Sequence, residues 1–130
     1  NHGFSDPAIT TWLPMPEEHA NFSVGAQEEP EDSILNSSKA MIKCKQKSPA
    51  LRLGDITFLQ RPENSKNLIY FKRYQADDIV YCVFNLSDET VTVPLAEKNR
   101  TPKFLIQGNG VVGTEDSVNL PPFTFCLFEQ

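Results

Sequence analysis

The sequence predicts a mainly β protein: an antiparallel β-sandwich preceded by an irregular loop and one α-helix. Three observations carry that expectation. Residues 56–128 hold six short runs rich in β-branched and aromatic side chains, parted by turn residues. Residues 31–47 place apolar side chains at helical spacing. Residues 1–30 keep neither a period of 2 nor one of 3.6.

In chain order, residues 1–30 read as loop. They are rich in Pro, Ser, Thr and acidic residues, with scattered apolar anchors such as Ile9, Leu13 and Phe22. A helix is expected over 31–47. Pro30 suits a first-turn position, Glu28, Glu29, Glu31 and Asp32 gather at the N-terminal end, and Lys39, Lys43, Lys45 and Lys47 towards the other. Ile34, Leu35, Met41 and Ile42 share one face, and Pro49 bars continuation. Strands follow at 56–59, 67–74, 79–86, 90–93, 104–107 and 123–128, with a hairpin of 68–73 and 79–84 as nucleus. Gln75-Ala76-Asp77-Asp78 and Gly108-Asn109-Gly110 supply turns, and Pro121-Pro122 precedes the last strand.

Composition narrows the function. The 130 residues, 39% hydrophobic and 22% charged, suit one packed domain, or one with an appendage. A net charge of −5 argues against nucleic-acid or anionic-membrane partners, which would want clustered Lys and Arg. No apolar run approaches the roughly 20 residues that span a bilayer, and the chain opens without a signal-peptide pattern. Cys44, Cys82 and Cys126 form an odd set without CxxC spacing. Cys82 and Cys126 sit in apolar runs, as small buried hydrophobes and not as a metal or redox set. That usage favours a reducing compartment. Asn21, Asn36, Asn85 and Asn99 head N-x-S/T sequons, read here as chance.

Free-standing chemistry finds no support. The acidic pairs, among them Glu17-Glu18, Asp77-Asp78 and Glu115-Asp116, sit in polar, solvated contexts, and neighbouring side chains point apart. His2 and His19 are too few for a metal site, and no calcium loop, phosphate loop or GxSxG elbow is present. No cofactor is expected. A platform of Tyr70, Tyr74, Tyr81 and Phe84 would suit a carbohydrate-binding module. Alternation, however, sends Phe71 to the face opposite Tyr70 and Tyr74, so each strand carries bulk on both sides. That pattern suits a sheet covered on one face by its partner sheet and on the other by a neighbouring domain.

One series of motifs is more specific. Gly3-Phe4 … Trp12-Leu13-Pro14 is followed by Val24-Gly25-Ala26-Gln27, the helix, and Ser48-Pro49-Ala50-Leu51-Arg52-Leu53-Gly54-Asp55. In order and spacing this resembles the end of the catalytic barrel in the α-glucosidase branch of the α-amylase superfamily, glycoside hydrolase family thirteen. There a "GF … WLP" loop follows the eighth strand, "AQ" precedes the eighth helix, and "PAL..GD" leads into a C-terminal β-domain. The runs around Asn67–Arg73, Val80–Ser87 and Pro121–Glu129 look like that domain's strands.

The resemblance implies residues 1–48 as the tail of a (β/α)₈ barrel and 49–130 as the C-terminal antiparallel β-domain of a bacterial α-glucosidase or oligo-1,6-glucosidase. It places the nucleophile, the acid/base and the third acid on barrel strands outside this chain, so no catalytic residue is expected here. The implied partners are the barrel of the same protein and, through it, α-glucoside oligosaccharides. The implied compartment is the bacterial cytoplasm, with the periplasm as the alternative. Phe4, Asp6 and Trp12, on the loop after strand eight, are the candidates for touching substrate, with packing of Trp12 and Leu13 as the bland alternative. A non-catalytic relative, such as a transporter heavy-chain ectodomain, is a further reading. An apolar patch of Ile34, Leu35, Met41, Ile42 and Trp12 is expected to be exposed.

Overall fold

The computed structural model describes residues 2–3, 5–63, 65–96 and 99–130. They divide into two compact units, Asn1–Lys43 and Cys44–Gln130.

The first unit is more regular than its composition suggests. A 3₁₀ helix, Glu17–Phe22, and a short helix α1, Val24–Glu28, interrupt the expected loop. Ser23 caps α1, its Oγ accepting from Ala26 N at 3.3 Å. The main helix, α2, runs Ile34–Lys47 and so starts three residues later than expected. Ser33 takes the cap: its Oγ accepts from Asn36 N at 3.1 Å and donates to Gln27 O at 2.6 Å. The Asn36 side chain donates to the carbonyls of Gln27, Glu28 and Pro30 at 3.2, 2.9 and 3.0 Å. Local polar bonding thus holds residues 29–33 between α1 and α2, and the acidic cluster stands ahead of the first turn of α2. Ile34, Met41 and Ile42 are exposed, and Leu35 is half-buried.

After α2 the second unit carries a further short helix that was not expected. Pro49 does end α2, but it also stands first in α3, Pro49–Leu53. Ser48 caps α3 with its Oγ, which accepts from Leu51 N at 3.2 Å. Asp78 accepts from Ser48 Oγ at 2.8 Å and from Ala50 N at 2.7 Å. The expectation that Asp77-Asp78 is merely a solvated pair therefore fails for Asp78, a half-buried carboxyl set on a helix start. Asp78→Ala is expected to lower stability by about 1–2 kcal/mol, read from the urea midpoint. An unchanged midpoint would rule out a stabilising cap.

Gly54 closes α3, and an added Cβ there would meet Ala50 O at 2.5 Å and Tyr74 O at 2.6 Å. Only glycine lets helix and strand backbones approach this closely.

Eight strands follow: β1 Asp55–Phe58, β2 Leu68–Gln75, β3 Asp78–Asn85, β4 Val91–Pro94, β5 Lys103–Gln107, β6 Val112–Gly113, β7 Ser117–Leu120 and β8 Phe125–Glu129. β6 and β7 were not expected. They form two antiparallel sheets, ordered β1-β2-β3-β8-β5 and β4-β7-β6. The hairpin has the expected members, with Tyr70 opposite Val83 and Gln75 opposite Asp78. Ala76 in its turn takes a φ of 50°, a value that ordinarily favours glycine. Leu68, Tyr70, Val83, Val118, Leu120 and Phe128 form the heart of the core between the sheets.

Candidate functional site

Of the three loop candidates, Phe4 lies outside the described residues. Asp6 is exposed; its Oδ1 accepts from Ala8 N at 2.9 Å, and its carbonyl from Ile9 N at 3.0 Å. Trp12 is 92% exposed. Asp6 and Trp12 line neither of two polar depressions in the second unit, one of about 260 Å³ between Ser65–Leu68 and Ser87–Val91, the other around Arg61 and Lys66.

The described carboxylates are exposed except Asp78 and Glu129, which are half-buried. Asp78 is committed to its cap, and Glu129 accepts from Lys103 Nζ at 2.9 Å. A retaining glycosidase needs two carboxyls facing each other across a sugar at about 5–5.5 Å, one held protonated by its surroundings. Among the described residues, no two half-buried carboxyls stand free of such bonds. Nor, among the described residues, does any group of three or more His, Cys, Asp or Glu stand together as metal ligands, and no helix is long and apolar enough to cross a membrane.

The four-residue aromatic platform does not form. Tyr70 and Tyr81 are 4% and 6% exposed between the sheets, while Phe84 points to the opposite face. Lys72 Nζ sits 5.4 Å from the centre of the Tyr74 ring.

That opposite, outer face of the five-stranded sheet holds the feature sequence reasoning did not assemble. Phe58, Phe71, Phe84 and Phe125 come from four adjacent strands and stand in one row. Successive ring centres lie 5.8, 6.2 and 6.0 Å apart. Ala50 and Leu51 of α3 cover Val80, Cys82 and Leu127 beside the row. The row is left more open: Phe71, Phe84 and Phe125 are half-buried and Phe58 is 70% exposed. A register shift between Phe104 and Ile106 marks a bulge in β5, and Leu105 and Ile106 both pack towards this face.

The buried acids of the unit are thiols and a phenol. Burial, with smaller contributions from neighbouring titratable groups, pushes Cys82 and Cys126 up to about 12 from near 9, and Tyr70 up to about 12 from near 10. Cys44 is also raised, by burial and then by Glu129. These thiols are protonated and poorly nucleophilic, which fits a packing role. Since the folded values lie above the unfolded ones, the unfolded chain releases these protons first. Their stabilisation is complete below about pH 9 and is lost as pH rises towards 12. The urea midpoint is therefore expected to fall across that window and to fall less in Cys82→Ala; equal slopes would contradict the assignment.

The model of the family described as "Maltogenic Amylase, C-terminal domain" matches residues 56–127. A curated relative, "Probable alpha-glucosidase" of Rhizobium meliloti (strain 1021), is 33% identical over 121 residues, covering 92% of this chain and 20% of its own length. Isomaltulose synthase from Klebsiella sp. LX3 superposes with a TM-score of 0.74 at 19% identity over 90% of this chain and 21% of that one. An isomaltulose synthase mutant from Erwinia rhapontici NX5 gives 0.74 at 20% identity over 92% and 22%. The trehalulose synthase of Pseudomonas mesoacidophila MX-45 gives 0.71 at 18% over 90% and 21%. These structures share the fold, and the chain spans about a fifth of the relative it matches. The chain belongs to the maltogenic amylase C-terminal domain family, the antiparallel β-sandwich domain of α-amylase-type enzymes.

Proposed function

We propose that residues 49–130 are the C-terminal β-domain of a retaining α-glucosidase-type hydrolase, and residues 1–48 the end of its catalytic barrel. In this reading the chain is non-catalytic. It supports a barrel that cleaves malto- or isomalto-oligosaccharides, and that barrel is its principal partner. The carrying observation is the phenylalanine row on the outer face of a sheet whose inner face is already buried in its own sandwich. Monomeric domains rarely expose more than a few hundred Å² of contiguous apolar surface without a partner for it. The 33% identity to a probable alpha-glucosidase supports the substrate class.

The test pairs calorimetric titration with maltose, isomaltose and a maltodextrin with an assay on a chromogenic α-glucoside. Neither heat nor product is expected from this chain. Saturable binding would favour a carbohydrate-binding module instead, and turnover would overturn the non-catalytic assignment.

A further inference from the structure

The turn between β5 and β6 holds an unusually labile pair. Val111 N donates to Gly108 O at 3.4 Å, closing a four-residue turn with Asn109 and Gly110 at its centre. Gly110 has a φ of 75°, the left-handed value that the third residue of a type II turn requires. Both central residues are exposed. Among the described residues, neither the Asn109 carboxamide nor the Gly110 N–H has a hydrogen-bond partner.

We propose that Asn109 is a site of spontaneous covalent modification. The Gly110 backbone nitrogen attacks Asn109 Cγ, and a C–N bond forms. The bond to the side-chain nitrogen breaks, and that nitrogen leaves as ammonia, taking up the proton the backbone amide gives up. A five-membered succinimide results. Water then adds to either imide carbonyl, leaving aspartate or isoaspartate at position 109 and making the net charge one unit more negative than −5.

Three features single out this position. Asn109 is the only asparagine followed by glycine, so no Cβ on the next residue obstructs the attack. It sits at an exposed loop tip, where the backbone opens most readily. Asn36 and Asn85, by contrast, hold their side-chain nitrogens against three carbonyls each. The isoaspartyl product puts an extra methylene into the backbone of a turn that is tightly packed on one side. A Cβ added at Gly110 would meet Pro121 Cγ at 3.1 Å. The turn that links the two sheets through β5 and β6 is then strained.

The folded chain is incubated in warm, mildly alkaline buffer and sampled by peptide mapping, with isoaspartate labelled by a protein carboxyl methyltransferase. Asn109 is expected to convert roughly tenfold faster than any other asparagine, because asparagine is a thermolabile residue and its neighbour here is unhindered. The Asn109→Gln chain, with an unchanged circular-dichroism spectrum, is expected to take no label in that peptide. Earlier conversion elsewhere would overturn the proposal. So would an intact Asn109 after a synthetic peptide of residues 105–113 has fully converted.

Discussion

Asn85→Ala is expected to destabilise the fold by about 3–5 kcal/mol, a large part of the roughly 5–15 kcal/mol that holds a typical domain. Asn85 ends β3 and is 0% exposed. Its Nδ2 donates to the carbonyls of Glu89, Leu120 and Pro121 at 2.7, 3.2 and 2.9 Å. Its Oδ1 accepts from Ser87 N at 3.1 Å and from Ser87 Oγ at 2.7 Å. One side chain therefore ties β3, in the five-stranded sheet, to the β3–β4 loop and to the end of β7 in the other sheet. Alanine leaves these carbonyls without that donor, and burial makes each such loss cost about 1–3 kcal/mol. Asn85→Asp keeps the shape but turns an acceptor towards three acceptors, so it is expected to cost as much or more. Urea unfolding measures both. A loss under about 1 kcal/mol for either would mean that water replaces the amide without penalty. The same burial excludes a glycan at this sequon in the folded chain.

Phe128→Ala is the second large effect, expected at about 3–5 kcal/mol. Phe128 is 0% exposed in the inter-sheet core. It stacks on Tyr81 with centres 5.3 Å apart and planes 12° apart, and meets Phe104 edge-on at 6.1 Å. Removing the ring loses its transfer free energy and leaves a cavity that neighbouring strands cannot collapse. Phe58→Ala provides the contrast: the same substitution on a ring 70% exposed is expected to move the chain's stability by no more than about 0.5 kcal/mol. Equal effects would mean that the outer face already contributes to the stability of this chain as much as the core does.

How far the sequence could be read follows from how local each determinant is. The β2–β3 hairpin was legible because its alternation and turn lie within 18 residues, and the faces expected for Tyr70 and Phe71 are the faces found. α2 was legible for the same reason, but its start was not, because Ser33 competes for the cap through bonds to Gln27. α3 was missed because Pro49 reads as a stop when the Ser48 cap before it is overlooked. In β7 the alternation of Val118 and Leu120 with Ser117 and Asn119 carried a signal, but four residues are fewer than a period of 2 needs to stand out. The phenylalanine row was out of reach. Its rings are brought together by three strand registers that long-range pairing decides. The tertiary role of Asp78 was hidden likewise, since its partners stand 28 and 30 residues earlier.

The placing of the thiols bears on how this chain can go astray during oxidative folding. Cys82 and Cys126 lie on paired strands one register step apart, Cys82 opposite Leu127 and Val83 opposite Cys126. Cys82 belongs to the outer cluster and Cys126 to the inter-sheet core, so the sheet itself separates the sulfurs. A bond between them needs both side chains on one face, which a correctly registered β3–β8 pair never offers. Such a bridge can close only before those strands have paired, and once closed it excludes the native register. Under oxidising conditions the order of events, strand pairing before thiol oxidation, would decide the yield of native protein.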